Sequence, residues 1–315
     1  MRPDELLSQG IDVTKVDLTS LTAKQSRAGC PLSDLDETNA HSAFTFLSQL
    51  SRTVWRWLAL ADQFAVQQSE ETITDVVLLR IAYASLGEVR IAKKSTKFEE
   101  AKAGFDWEWW IGSPSRGGAG GYIRYFVQAK RLRHGRYWAL GHRQRSRNQL
   151  IALEEHARCN KAVPLYAFYN WAAGADPAAS GHCKLDQSFE LLGCTVAPLS
   201  VVRAALGAKG CPTFDSIHRD QRVLPWRCLL CCHSEPSRAR LQEFCDPLSP
   251  PPIHEDLPDE LKRRLAREPL PEGMDQPSQR ELRPRWTIVI TVPPRSPGRT
   301  GLPPEIPPLP TLKQF

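Results

Sequence analysis

The spacing of apolar residues predicts two helices near the start of the chain. Between Ala43 and Phe64, apolar positions recur every three or four residues, which is the period of an amphipathic helix. The run SEETITDVVLLRIAYA, which starts at Ser69, has a similar buried side, and Ser69 and Thr72 are candidate N-caps. Residues 1–42 are polar and show no sustained period, so we expect a leader there.

After the second helix the pattern changes to the alternation that is typical of strands. EVRIAKK alternates apolar and charged residues, FDWEWWI is rich in aromatic residues, and YIRYFVQAKRL alternates again. The segment GSPSRGGAGG joins the last two and predicts an antiparallel hairpin. NQLIALEEHARC then predicts a helix, and AVPLYAFYNW predicts a buried strand. The order helix, three strands, helix, strand indicates an α/β protein.

The pattern weakens in the second half of the chain. GCTVAPLSVVRAAL predicts a strand or turn that leads into a short helix. From Asp246 onward the chain holds 17 of its 26 prolines. This Pro-rich part is interrupted by a predicted helix over 259–267 and by the strand-like segment RWTIVITV. We therefore divide the chain into four parts: a leader (1–42), a core (43–171), an accessory region with several cysteines (172–245), and a Pro-rich extension with a disordered tail (246–315).

Polar residues on two of the predicted strands share faces. Side chains alternate along a strand, so Asp106 and Glu108 lie on one face, and Gln128 and Lys130 lie on one face of the next strand. If the hairpin forms, these four side chains can converge. The sequence therefore predicts a polar patch on the sheet, which is our candidate for a functional site.

These residues and their order resemble the PD-(D/E)XK nuclease superfamily. FVQAKRL is similar to the Gln-x-Lys variant of Mrr-type restriction endonucleases, and SEETITD, GFDWEWW, VQAKRL and PLYAFYN together resemble a bacterial family of uncharacterised proteins. The resemblance covers residues 43–170. It implies a restriction-endonuclease-like αβββαβ core with a mixed central sheet flanked by helices. It also implies an Mg²⁺- or Mn²⁺-dependent endonuclease that hydrolyses phosphodiester bonds, with DNA as the expected substrate, in defence or DNA processing.

The resemblance assigns roles to three of the polar residues. Asp106 would supply the main carboxylate ligand of the cation, and Lys130 would stabilise negative charge near the scissile phosphate. Gln128 departs from the commoner acidic residue, and its neutral amide contributes less charge to a cation site. A further acid is therefore expected.

Several residues could complete the set. In the resembling fold the first helix contributes a Glu, which matches Glu71 or its neighbour Glu70, and we favour Glu71. Glu108 is a further candidate ligand, although a plain surface acid is the simpler interpretation. Gln149 begins the helix after Lys130 and would face the same cleft, as Gln residues do in similar enzymes.

The charge distribution favours a polyanionic partner. The net charge is only +6, but the stretch from Arg124 to Arg147 is rich in Lys and Arg and contains no Asp or Glu. A solvated basic face would explain this equally simply, yet the run KRLRHGRYW within the stretch starts at Lys130 and includes Tyr137 and Trp138. The residues expected to contact nucleic acid are Arg131, Arg133, Arg136, Arg143, Arg145, Arg147 and Gln149.

The nine cysteines predict reduced thiols, because the N-terminus lacks the features of a signal peptide. No apolar run approaches the length of a membrane span, so we expect a cytoplasmic protein without membrane contact. Cys228 and Cys231 form a Cys-x-x-Cys pair that Cys211, Cys194 or Cys245 could complete as a structural Zn²⁺ site. A second closely spaced pair is missing, which favours ordinary cysteines.

A second function is compatible with the same patterns. Nuclease folds also serve as inactive scaffolds, so the chain could be a module that binds nucleic acid or a protein partner without turnover. The enzyme requires Asp106 and Lys130 side by side with a third acid in reach, whereas the module requires only the basic surface. Homodimerisation is left open by both hypotheses.

Overall fold

A computed structural model describes residues 42–84, 89–93, 104–116, 119–141, 143–144, 147–174, 188–208, 210–231, 251–266 and 286–292. Within these ranges, helices cover both faces of one mixed, open β-sheet. The fold is mixed α/β, as the order of the predicted elements indicated. None of the helices in these ranges is both long enough and apolar enough to cross a bilayer.

The predicted helices and strands are present, with ends that differ by a few residues. The helices are α1 (Ala43–Gln63), α2 (Glu70–Tyr83), α3 (Gln149–Cys159), α4 (Leu199–Gly207), α5 (Phe214–His218), α6 (Cys228–Cys231) and α7 (Asp259–Ala266), with a 3₁₀ turn at Phe189–Gly193. The strands are β1 (Val89–Lys93), β2 (Trp107–Arg116), β3 (Ala119–Arg131), β4 (Arg143–Gln144), β5 (Arg147–Asn148), β6 (Val163–Tyr169), β7 (Cys194–Pro198), β8 (Leu224–Pro225), β9 (Ile253–His254) and β10 (Trp286–Thr291).

The main sheet has the strand order β1-β10-β2-β3-β6-β7-β8, and β9 adds to β3. The predicted hairpin between β2 and β3 is confirmed as an antiparallel pair. β6 runs parallel to β3, and α3 connects the two. β10 lies between β1 and β2, antiparallel to the first and parallel to the second. Strands from the predicted core, the accessory region and the C-terminal extension therefore share one sheet.

Two apolar layers hold the helices on the sheet. α1 and α2 pack on the face that carries Trp107 and Trp109, where these rings meet Trp226 edge to face with centroids 6.0 and 5.0 Å away. α3 and α4 pack on the opposite face. The contact between the 3₁₀ turn and α1 requires a glycine at Gly193, because a Cβ there would collide with the backbone of α1 at Ser51.

A buried polar network fixes the segment that follows β3. The Tyr137 hydroxyl donates to Asn170 Oδ1 at 2.6 Å, and Asn170 Nδ2 donates to the Leu192 carbonyl at 2.8 Å. Thr195 Oγ1 lies 3.0 Å from His218 Nε2 in the same network. Burial lowers the pKa of His218 to about 4, so its ring is neutral at physiological pH. The network ties the segment around Tyr137 to the ends of β6 and β7.

Candidate functional site

The predicted polar residues meet at the edge of the sheet where β2 begins and β3 ends. Asp106 directly precedes β2, whereas Gln128 and Lys130 lie in the last four residues of β3. The first residues of two helices, Glu70 of α2 and Gln149 of α3, reach the same place through hydrogen bonds described below. Elements distant in sequence therefore position this cluster.

A chain of hydrogen bonds links Asp106 to α3. Asp106 Oδ2 accepts from Gln128 Nε2 at 2.7 Å and from the Ala129 backbone N–H at 2.5 Å. Gln128 Nε2 also donates to the Ala129 carbonyl at 3.2 Å, and Gln128 Oε1 accepts from Gln149 Nε2 at 2.8 Å. Gln149 Oε1 is buried and has no hydrogen-bond partner among the described residues. The Gln128 amide is thus held from both sides, in a position that is 2% exposed.

Lys130 and Glu70 form an ion pair beside this chain. Lys130 Nζ lies 3.5 Å from Glu70 Oε1, and Glu70 Oε2 accepts from the Arg131 backbone N–H at 3.2 Å. Burial raises the pKa of Glu70 from 4.5 to about 7; the positive charge of Lys130 opposes this rise, and the negative charge of Asp106 adds to it. The Glu70 carboxyl can therefore exchange a proton near neutral pH.

These contacts favour Glu70 over Glu71, the residue that we preferred as the third acid. Glu71 is exposed on the first turn of α2, whereas Glu70 reaches Lys130. Successive residues of an α-helix point in directions about 100° apart, so neighbours cannot both face the end of β3. Ser69 is the N-cap and accepts from the Thr72 backbone N–H at 3.0 Å, which sets this orientation.

Glu108 belongs to a buried ion pair, which argues against the metal-ligand role expected for it. Its carboxylate is fully buried, and Oε2 contacts Arg124 Nε and Nη2 at 2.8 and 2.6 Å. Oε1 accepts from the Thr287 hydroxyl at 2.6 Å. The Arg124 guanidinium lies over the rings of Trp110 and Phe126. Glu108 therefore joins β2 to β3 and β10.

Tyr166 is a member of the site that the sequence did not reveal. It lies opposite Gln128 in the parallel pairing of β3 and β6, so both side chains project from the same face. Its hydroxyl is buried without a hydrogen-bond partner in the described part of the chain. Burial raises the pKa of Tyr166, and the charges of Asp106 and Glu70 raise it further. The strand was predicted, but its register depends on a pairing that the sequence does not show.

The basic residues are only partly described. Arg131 is half-buried at the end of β3, while Arg133 and Arg136 are exposed in the turn that follows. Trp138 is 64% exposed in the same segment. Arg143 and Arg147 belong to the short strands β4 and β5, and Arg145 lies outside the described residues. The described part of this segment thus exposes cations and one large aromatic ring just beyond Lys130.

The expected zinc site is not seen in the described residues. They contain no group of three or more His, Cys, Asp or Glu side chains that could hold a metal ion. Cys228 is buried and Cys211 is partly exposed, and neither forms a disulfide bond with another described cysteine. Cys231 belongs to α6, and Cys245 lies outside the described residues.

Comparison with known proteins places the chain in a family of unknown function. No curated protein sequence and no solved structure matches the chain. Residues 43–293 match a family of unknown function, DUF6615, and this match spans the elements that build the sheet, from α1 to β10. Because the match covers most of the chain, the protein belongs to the DUF6615 family.

Proposed function

We propose that this protein is an Mg²⁺- or Mn²⁺-dependent endonuclease with a restriction-endonuclease-like core, which hydrolyses phosphodiester bonds in nucleic acid, with DNA as the first substrate to test. One observation carries the proposal: Asp106, Gln128, Lys130 and Glu70 meet at the end of β3 although three separate segments supply them. Buried polar groups without a structural need are costly, and a carboxyl with a pKa near neutrality is common at functional sites.

The oxygens around Gln128 fit a hard divalent cation. Asp106 Oδ2 and the Ala129 carbonyl oxygen both approach a single atom, Gln128 Nε2, at 2.7 and 3.2 Å. Mg²⁺ and Mn²⁺ prefer such carboxylate, carbonyl and amide oxygens. Asp106, the Ala129 carbonyl and the Gln128 amide oxygen would hold the cation. When bound, it would supply an activated water and neutralise charge on the phosphoryl oxygens.

Lys130 would stabilise negative charge on the phosphate, and Glu70 would accept a proton. The Lys130 side chain is 6% exposed, so its positive charge is weakly screened and would stabilise negative charge on the phosphate. Glu70 has a pKa of about 7, the range in which a carboxylate accepts a proton effectively at physiological pH. We propose that Glu70 both orients Lys130 and takes the proton released by the attacking water.

The segment after β3 would bind the substrate backbone. Arg133 and Arg136 are exposed there, close in sequence to Lys130. Exposed cations attract phosphates without regard to base sequence, and the binding that they provide weakens as salt rises. The buried bond from Tyr137 to Asn170 keeps this basic segment fixed relative to the site.

A module that binds nucleic acid without cutting it remains the second candidate. The observation that favours it is the amide nitrogen of Gln128, which donates to the two oxygens that a cation would need. Because position 128 carries Gln instead of an acid, the cluster in the described residues offers a cation two carboxylates, those of Asp106 and Glu70. Such a module would keep the basic segment and bind DNA in the presence of a chelator.

Incubation with supercoiled plasmid and with linear single-stranded DNA tests the proposal. The native chain should nick plasmid with Mg²⁺ or Mn²⁺ and not with chelator, and Lys130→Ala and Asp106→Asn should each reduce the rate at least about 100-fold. Lys262→Ala is the matched control, because Lys262 is an exposed lysine that pairs with Asp256 on the surface. Salt-sensitive DNA binding by all variants without any cleavage would establish the binding module instead.

A further inference from the structure

We propose that Gln149 is a positioning residue that controls whether the nitrogen or the oxygen of the Gln128 amide faces Asp106. When a divalent cation binds, the side-chain amides of Gln128 and Gln149 both rotate by about 180°. In one orientation Gln128 donates to Asp106 and closes the site. In the other it presents its oxygen beside Asp106. This inference rests on the proposed cation site.

The hydrogen bonds define the closed orientation. Gln128 Nε2 donates to Asp106 Oδ2 at 2.7 Å and to the Ala129 carbonyl at 3.2 Å. The two acceptors hold a donor between them, so the amide nitrogen must point this way while no cation is bound. Gln128 Oε1 consequently points toward α3, where Gln149 Nε2 donates to it at 2.8 Å.

The unpaired oxygen of Gln149 provides for the second orientation. An amide that rotates by about 180° exchanges its oxygen and nitrogen in nearly the same positions. If only Gln128 turned, its Nε2 would meet Gln149 Nε2, and two donors would oppose each other. If Gln149 turns as well, its Oε1 accepts from Gln128 Nε2. That oxygen is buried and has no partner among the described residues, so it is available for this bond.

The paired rotation exchanges one set of satisfied contacts for another. Before the cation binds, the Asp106 carboxylate is stabilised by hydrogen bonds from the Gln128 amide and the Ala129 backbone N–H. Afterwards the Gln128 and Asp106 oxygens would share the cation, while the bond between Gln128 and Gln149 reforms in the opposite sense. A Glu at position 128 could not do this, because two carboxylates would face each other without a cation. Because Gln128 is neutral, it can form a hydrogen bond to Asp106 when no cation is bound.

Mn²⁺ affinity, measured by calorimetry without nucleic acid, tests the role of Gln149. Gln149→Leu removes the acceptor and should weaken Mn²⁺ binding at least about tenfold, the usual effect of losing a residue that orients a metal ligand. Gln149→Glu can only accept, so it favours the open orientation and should strengthen binding. Asn148→Asp is the matched control for added charge, because Asn148 caps α3 at Leu150 and an Asp keeps that cap.

The outcomes separate the inference from the proposed function. Equal affinities for Gln149→Leu and the native chain, or for Gln149→Glu and Asn148→Asp, would overturn the inference even if plasmid is cut. Mn²⁺ binding that responds to Gln149 in a protein that never cuts DNA would support it and remove the nuclease proposal. A native chain that binds no Mn²⁺ would overturn both.

A second measurement does not depend on affinity. The side-chain amide signals of Gln128, identified by their loss in Gln128→Glu, should shift on addition of diamagnetic Mg²⁺ as the donor exchanges Asp106 for Gln149. The Gln149 amide signals should shift in the same titration. Unchanged Gln128 and Gln149 signals at saturating Mg²⁺ would contradict the paired rotation, and thermal unfolding of each variant would verify that it is folded.

Discussion

Replacing Glu108 by Gln should destabilise the protein without weakening cation binding. The change leaves the Arg124 charge, whose side chain is only 17% exposed, without its carboxylate. Breaking one side of a buried ion pair costs about 3–5 kcal/mol. We expect about 3 kcal/mol, because Gln can still bond to Thr287 and the Arg124 guanidinium keeps its contacts with Trp110 and Phe126. The folded-to-unfolded ratio should fall roughly a hundredfold.

Urea unfolding, followed by tryptophan fluorescence, measures this loss as a lower midpoint at an unchanged slope. The matched control is Glu154→Gln, which breaks an exposed ion pair with Arg203 at 2.8 Å and should cost less than about 1 kcal/mol. Mn²⁺ affinity of Glu108→Gln should equal that of the native chain. A midpoint no lower than that of Glu154→Gln would refute the structural role, and a loss of Mn²⁺ affinity at full stability would return Glu108 to the ligands.

Three further changes test other parts of the structure. Because the pKa of Glu70 rises from 4.5 in the unfolded chain to about 7, its contribution to stability is lost as pH increases through this interval, and Glu70→Gln should flatten that part of a plot of Tm against pH. Tyr137→Phe leaves Asn170 Oδ1 without its donor and should lower the free energy of unfolding by about 1–2 kcal/mol in urea titrations, with less effect if the bond does not form. Gly193→Ala forces a Cβ against the backbone of α1 and should cost about 3 kcal/mol in thermal unfolding, whereas Gly207→Ala, which meets no atom within 4 Å, should cost nothing measurable.

Local periodicity predicted the longer helices and strands, but it did not predict the short elements β4, β5, α5, β8, α6 and β9. The three-to-four residue spacing in α1 and the alternation in β3 each reflect burial of one face, which depends only on nearby residues. The shared face of Gln128 and Lys130 follows from the same alternation. The approach of Gln128 to Asp106 also followed, because a hairpin connection fixes which strands pair.

The contacts that the sequence did not reveal depend on orientation and on distant pairing. Glu70 and Glu71 are adjacent, and only the rotation of α2 against the sheet decides which one reaches Lys130. Glu108 is a residue type that binds metal ions, but its carboxylate pairs with Arg124 and accepts from Thr287, which lies 179 residues further along the chain. Tyr166 required the register of β6 against β3. Non-local geometry of this kind leaves no trace in hydrophobic spacing.

The position of β10 between β1 and β2 has a consequence for how the protein is made. β1 pairs with β10 alone in the described sheet, and β2 lies between β10 and β3. During synthesis, residues 43–171 leave the ribosome long before Trp286–Thr291 exist, so β1 then lacks its partner and one edge of β2 stays open. Closing the gap joins segments far apart in sequence, which makes folding slow. A chain that stops before Trp286 would keep the predicted site residues and lose the strand that completes the sheet, and its exposed edges would invite aggregation.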